Sequence, residues 1–367
     1  MKKEKIIAVI GTRPEAIKMF PLINELKRRE GFVTEVLSTG QHGNLLSDIL
    51  TELGAVPDYS LTVKRRGEGL AQLSSRMLES VTQIFERKRP RLVLVHGDTA
   101  SALAAALAAF YLKIPVGHIE AGLRTGNIHL PFPEEFNRRA ISIISELHFA
   151  PTGDARDNLI REGANPCRIF TTGNTVVDAL SMTVTKDFSH PLLDDGGKKT
   201  ILLTTHRRES LGGAMTEIFA AVRLVARDFP DIKVIYPVHP NPKIRGLAEA
   251  ELRGCENVYL TAPLGMRDFH NILARCYLVM TDSGGVQEEA CALGKPTLVL
   301  RGETERPEGV RAGCLRLVGT GRDGIYGAVR ELLENAREYK KTASAENPYG
   351  DGHASERIAD AICDYLG

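Results

Sequence analysis

Short apolar runs alternate with helical segments along almost the whole chain, and this alternation restricts the fold more than any other feature. Residues 6–10, 33–37, 92–95, 116–119 and 147–150 are apolar on both faces. That is the pattern of strands buried inside a parallel sheet. Between them the spacing predicts helices over 15–29, 70–87, 100–112 and 134–144. Strands that alternate with helices imply right-handed βαβ units and an α/β, doubly wound sheet. The series then starts again, with strands expected at 201–204, 233–238, 258–260, 278–280 and 298–300. Their helices are expected at 214–227, 266–274, 286–293 and 325–340.

The pattern weakens between 172 and 199, where 181–197 holds Pro191 and an Asp-Asp-Gly-Gly turn, so the linker is placed there. The expected organisation is a Rossmann-like domain over 1–172 and a second, nucleotide-binding one over 173–352. Two such halves leave a cleft between them. A length of 367 residues suits two domains. Lys and Arg number 47 and Asp and Glu 46, a formal net charge of +1. A chain so balanced is not expected to bind nucleic acid through counterion release. A hydrophobic fraction of 43% and a charged fraction of 25% exclude global disorder. The apolar run at 6–10 is too short for a signal-peptide core, and no stretch approaches the ~18 apolar residues that span a bilayer. No membrane segment and a cytoplasmic location are therefore expected. The six cysteines, Cys167, Cys255, Cys276, Cys291, Cys314 and Cys363, lack metal-ligand spacing and are expected as scattered, mostly buried free thiols.

In open α/β sheets, ligands bind beyond the carboxyl ends of the strands. The first strand ends in Gly11-Thr12-Arg13-Pro14-Glu15, with Lys18 one turn on. Gly11 suits a tight turn, and Arg13 and Lys18 beside a helix start suit an anion; solvated basic residues are the plainer alternative. Another strand ends in His96-Gly97-Asp98-Thr99, where Asp98 is a candidate N-cap. Glu120 follows the strand at 116–119, and Glu134 and Glu135 open a helix whose dipole favours them. In the second half, His206 precedes Arg207 and Arg208, and His239 stands at another strand end. Ser283-Gly284-Gly285 between a strand and a helix fits a phosphate cradle of backbone N–H groups. Glu289 is placed to hold a pair of sugar or ribose hydroxyls, and Arg306 to face the same ligand, with a solvated charge cluster as the alternative for the arginine.

Taken together, GTRPEAIKM, HGDT, HIEAGLRT, PFPEEFNR, TTHRRES, VHP, TDSGGVQEEA, TERPEG and a closing NPYGDGHASERI resemble the non-hydrolysing UDP-N-acetylglucosamine 2-epimerases. The resemblance implies the GT-B fold, two Rossmann-like domains facing a central cleft, with a C-terminal helix, 353–367, packing back on the first. It implies interconversion of UDP-N-acetylglucosamine and UDP-N-acetylmannosamine for cell-surface polysaccharide. The route is elimination of UDP to 2-acetamidoglucal and re-addition. By motif, the catalytic roles fall on Asp98, Glu120, Glu134 and His206. Substrate contacts fall on Arg13, Lys18, His239, Phe269, Ser283, Gly284, Gly285, Glu289 and Arg306, with Phe269 near the uracil. A second UDP-N-acetylglucosamine, acting as activator, would meet Gln41, His42, Glu134 and Arg207. The chain departs from the family pattern at Asn44, at Arg65 and Arg66, at Cys291 and at Gly302-Glu303. A homodimer is implied, and neither metal nor cofactor. The residues leave open a hydrolysing relative, an enzyme for another UDP-2-acetamido sugar, a GT-B glycosyltransferase and an inactive nucleotide-sugar binder.

Overall fold

The computed structural model describes residues 3–41, 43–61, 69–194, 196–205 and 212–367. The chain divides into two compact units, Met1–Met182 with Tyr349–Gly367, and Thr183–Pro348.

The first unit runs β1 (Glu4–Ile10), α1 (Arg13–Arg28), β2 (Phe32–Ser38), α2 (Asn44–Glu52), β3 (Tyr59–Ser60), α3 (Leu70–Lys88), β4 (Leu92–His96) and α4 (Ala100–Tyr111). It continues through β5 (Val116–Ile119), α5 (Glu134–Ile144), β6 (Leu147–Ala150), α6 (Gly153–Arg161), β7 (Ile169–Thr171) and α7 (Thr175–Thr183). Its seven parallel strands lie in the order β3-β2-β1-β4-β5-β6-β7. The central strands are apolar on both faces because helices cover both, and every residue of β4 is buried. The Ala-rich α4 packs closely: Ala104, Ala105, Ala106, Ala108 and Ala109 are all buried, and α4 lies against α3 and α5.

The second unit runs β8 (Lys199–Thr204), α8 (Gly213–Asp228), β9 (Ile232–Pro237), α9 (Pro242–Glu251), β10 (Val258–Thr261), α10 (Met266–Arg275) and β11 (Leu278–Thr281). Then come α11 (Gly284–Ala292), β12 (Thr297–Val299), α12 (Pro307–Ala312), β13 (Leu315–Leu317), α13 (Arg322–Glu334) and α14 (Ala336–Ala343). Its six parallel strands lie in the order β10-β9-β8-β11-β12-β13. A core of Leu203, Phe219, Tyr236, Met280 and Leu298 packs one face of this sheet. The last helix, α15 (Ala354–Leu366), belongs to the first unit and packs against α1.

Two parallel sheets of this kind are the α/β architecture expected from the alternation. Helices α2, α6, α7, α9 and α12 were not expected, and four further details differ. β3, β7 and β13 are additional strands, all at sheet edges. The single helix expected over 325–340 is two, because the Asn335 side chain accepts from the N–H groups of Arg337 and Glu338 and starts α14 afresh. Cys291 and Cys314 are joined in a disulfide, their Cα atoms 5.7 Å apart, where free thiols were expected. The packing of α11 beside the turn before β13 creates that proximity, which a separation of 23 residues hides. Burial is also less general than expected: Cys167 is exposed, and Cys255 and Cys363 are half-buried.

Candidate active site

In the first unit the chemistry collects at the carboxyl edge of the sheet. Gly11 follows β1, and a Cβ there would overlap the Ser101 hydroxyl and come within 2.6 Å of the Thr39 hydroxyl. Space is therefore what requires glycine, rather than the tight turn expected from sequence. Thr12 caps α1, and Arg13 is its first residue, half-buried. Glu15 is wholly inside; its carboxylate accepts from the Gly11 N–H at 3.0 Å and the Thr99 hydroxyl at 2.7 Å. Burial pushes that carboxyl up to about 7, against the hydrogen bonds that favour its charge.

Glu120 closes β5 with φ of 59°, in the left-handed region that a side chain other than glycine rarely occupies. Its Oε2 accepts from the Lys18 ammonium, and from Asn174 Nδ2 at 2.8 Å. Lys18 is itself buried. His96 Nε2 stands 3.9 Å from the same oxygen. Burial holds His96 down at about 4, so it is neutral near pH 7. A second buried histidine, His118, engages the Gly97 carbonyl at 2.8 Å and so braces the turn between β4 and Asp98.

Asp98 is not the cap of α4. That role belongs to Thr99, whose side chain accepts from the Ala102 N–H at 3.0 Å. Asp98 instead pairs with the buried Arg138 at 2.7 Å, and its carbonyl accepts from Asn137 at 2.8 Å. Both partners lie on α5, which Glu134 opens. Glu134 is half-buried. Its neighbour Glu135 is fully buried and accepts from the N–H groups of Thr125 and Gly126, at 3.0 and 3.3 Å. Glu135 thereby fixes the loop between Glu120 and Glu134. Asp98, Glu120 and Glu134 thus share one sheet edge. Gln41 is turned to Ser101, accepting from its N–H at 3.1 Å and its hydroxyl at 2.6 Å.

The second unit repeats the strategy. After β11, the Asp282 carboxylate accepts from the Thr205 hydroxyl at 3.0 Å, and the Ser283 N–H donates to Thr281. Ser283 caps α11 without a side-chain bond, so the cap itself does not take up the first-turn N–H groups of Gly284 and Gly285. A Cβ on Gly284 would overlap the Arg306 guanidinium. Arg306 is buried and donates to Glu288 at 2.9 Å and Glu305 at 2.6 Å. The arginine expected to face a ligand is thus also the counter-charge of its own unit. Glu289 lies one turn into α11, with Oε1 3.8 Å from His270 Nε2 and Oε2 buried without a hydrogen-bond partner among the described residues. Phe269, on α10, is half-buried and packs against the core cluster that holds Ile272, Val279 and Val286. His239 is exposed after β9 and accepts from the Asn241 N–H at 3.1 Å.

His42, His206 and Arg207 lie outside the described residues. Sequence reasoning missed Asn174, His96, Glu15, Arg138 and Glu288. His96 stood inside a motif it used, and Asn174 stands three residues past β7.

The family model described as UDP-N-acetylglucosamine 2-epimerase matches residues 24–363. A UDP-N-acetylglucosamine 2-epimerase of Bacillus subtilis (strain 168) is 50% identical over 368 residues, covering 100% of this chain and 97% of that protein. The crystal structure of UDP-GlcNAc 2-epimerase from Neisseria meningitidis, bound to UDP-GlcNAc, is 41% identical with a TM-score of 0.94, covering 98% of this chain and 100% of that one. The Methanocaldococcus jannaschii UDP-GlcNAc 2-epimerase, in complex with UDP-GlcNAc and UDP, is 32% identical with a TM-score of 0.86 over 98% and 99%. With the model spanning most of the sequence and such relatives matched from end to end, the chain belongs to the UDP-N-acetylglucosamine 2-epimerase family.

Proposed function

We propose that this isomerase interconverts UDP-N-acetylglucosamine and UDP-N-acetylmannosamine by elimination and re-addition. The C2 proton of the sugar has no neighbouring carbonyl to acidify it, so direct deprotonation is too costly. If UDP departs with the C1–O electron pair as a base takes the C2 proton, the C2–H electrons form a C1=C2 double bond. The intermediate is 2-acetamidoglucal. UDP then adds back to C1, and a proton reaches C2 from the opposite face. This needs proton-transfer groups and a stabilised leaving group.

The Glu120–Lys18 pair, whose lysine is buried, is the observation that carries the reading, at a sheet edge shared with Asp98 and Glu134. The Lys18 ammonium and the Asn174 amide both donate to the Glu120 carboxylate and hold it in one orientation. Asp98, Glu134 and His206 share the remaining proton transfers. Arg13, Lys18, the Ser283-Gly284-Gly285 turn and Arg306 neutralise the diphosphate. Glu289, whose Oε2 has no hydrogen-bond partner among the described residues, takes a ribose hydroxyl, Phe269 meets the uracil, and His239 is a further substrate contact.

Assembly as a homodimer, activation by a second UDP-N-acetylglucosamine at Gln41, His42 and Arg207, a cytoplasmic location and supply of cell-surface polysaccharide belong to the same proposal. Among the described residues, no helix is long and apolar enough to cross a membrane. The experiment is NMR during turnover of UDP-N-acetylglucosamine in D2O. The expected product is UDP-N-acetylmannosamine carrying deuterium at C2. Free N-acetylmannosamine as the main product would identify a hydrolase, and a C2 position that never exchanges would refute the mechanism.

A further inference from the structure

We propose that Asn174 is a positioning residue for Glu120, and that the C-terminal return of the chain holds it in place. This rests on the catalytic role given to Glu120 above. Every polar group of Asn174 is committed. Its Oδ1 accepts from the Val176 N–H at 3.1 Å at the start of α7. Its backbone N–H donates to the Tyr349 carbonyl at 2.8 Å, and its carbonyl accepts from Val177 at 3.0 Å. With Oδ1 fixed by a donor, the amide can present only its NH2 to Glu120, 2.8 Å away. The orientation of the amide is thus decided by its surroundings. It always offers the carboxylate a donor, never an acceptor.

Those surroundings come from the other end of the sequence. Gly173 and Gly350 cross in backbone contact, with φ of 87° and 109°. A Cβ on Gly350 would lie 2.9 Å from Gly173 Cα, so glycine is required there twice over. Asp178 on α7 accepts from the N–H groups of Ala354 and Ser355, at 3.2 and 2.7 Å, and so caps α15. Arg357 on α15 donates to the Thr172 carbonyl at 3.1 Å and is held by Asp351 at 2.6 Å. Residues 349–357 therefore clamp 172–178 from both sides. The side chain at the centre of that clamp ends on Glu120, whose own backbone is held at φ 59°. An amide donor lowers the proton affinity of the carboxylate it touches, and an acceptor in its place raises it.

The variant that tests this is Asn174→Asp in the full chain. It keeps the Oδ1 acceptor for Val176, removes the donor and sets a second carboxylate against Glu120. The expected result is a kcat at least tenfold lower and a KM within about threefold of the parent. The limb of the kcat–pH profile that reports Glu120 should move up by about one pH unit or more. Gly350→Ala, which displaces the strap without touching Glu120, should move the same limb in the same direction. A merely structural role would lower the melting temperature of Gly350→Ala and leave its limb where the parent's is, and that overturns the proposal. Glu120→Gln separates the two failures. If it turns over at the parental rate, the role of Glu120 falls and this inference with it. If it is inactive while Asn174→Asp keeps parental kcat and pH profile, only the inference falls.

Discussion

Arg306 shows how one side chain serves two ends. Its guanidinium sits inside the second unit between Glu288, which is fully buried, and Glu305, which Arg301 also holds at 2.7 Å. A buried carboxylate is stabilised by its counter-charge, so removing the arginine takes one cation away from each of two acids. Arg306→Met is expected to destabilise the second unit by ~3–5 kcal/mol, read from urea unfolding. Loss of activity in that variant would report folding as well as ligand contact. A shift below ~1 kcal/mol would mean that the cluster is solvated. At this scale the sequence disclosed residues that follow wholly buried strands, such as Glu120 after β5 and Ser283 after β11. Asn174 stayed hidden because β7, Ile-Phe-Thr, is short and only Ile169 is buried, so no strand end was visible there. Glu288 and Glu305 stayed hidden because acids near an arginine look the same in sequence whether solvated or buried.

Elements were legible in proportion to how completely they are buried. The bounds expected for the central strands agree with β5 and β6 and fall within a residue or two of β1, β2 and β4. At the edges one face meets water, the apolar run breaks up, and β13 reads only as Leu-Arg-Leu. β3 is two residues long and leaves no periodic trace. Helix continuity failed at Asn335 for a different reason. Helical spacing runs through it, yet its side chain bonds to two N–H groups ahead and its own φ and ψ, −105° and 92°, lie outside the helical region. Asn335→Ala is expected to cost about 1 kcal/mol by removing that cap. Circular dichroism through thermal unfolding would measure it, and no loss would mean that the stacked rings of Tyr277 and Tyr339 hold α14 alone.

Over the whole molecule, buried titratable groups set the response to acid. His96, His118 and His148 are pushed down to about 4, about 3 and about 4, in each case mainly by burial. Unfolded, each takes up a proton near pH 6.5. Between about pH 6.5 and 4 the unfolded chain therefore binds more protons, and stability drains away as pH falls. Glu15 acts in the opposite sense. Raised to about 7 from a usual 4.5, it holds a proton in the folded state that the unfolded chain lacks, so its share of stability is present at low pH and is lost as pH rises through about 7. Three groups against one leave the histidines dominant, each worth roughly 1.4 kcal/mol per pH unit over its window. All four lie in the first unit. The urea midpoint for that unit should be lower at pH 5 than at pH 7, and a midpoint that is level or higher would contradict neutral burial of the histidines.

The placement of α15 also bears on how the protein is made. A ribosome delivers residues in order, and the closing stretch of the first unit, Tyr349–Gly367, emerges only after the whole of the second. The second unit has all its sequence by Pro348 and is ready to fold while the first still lacks the helix that lies on α1. The usual vectorial order, amino-terminal domain first, is thus reversed. A nascent chain halted a few codons early would carry a finished second unit beside a first whose α1 surface stays uncovered.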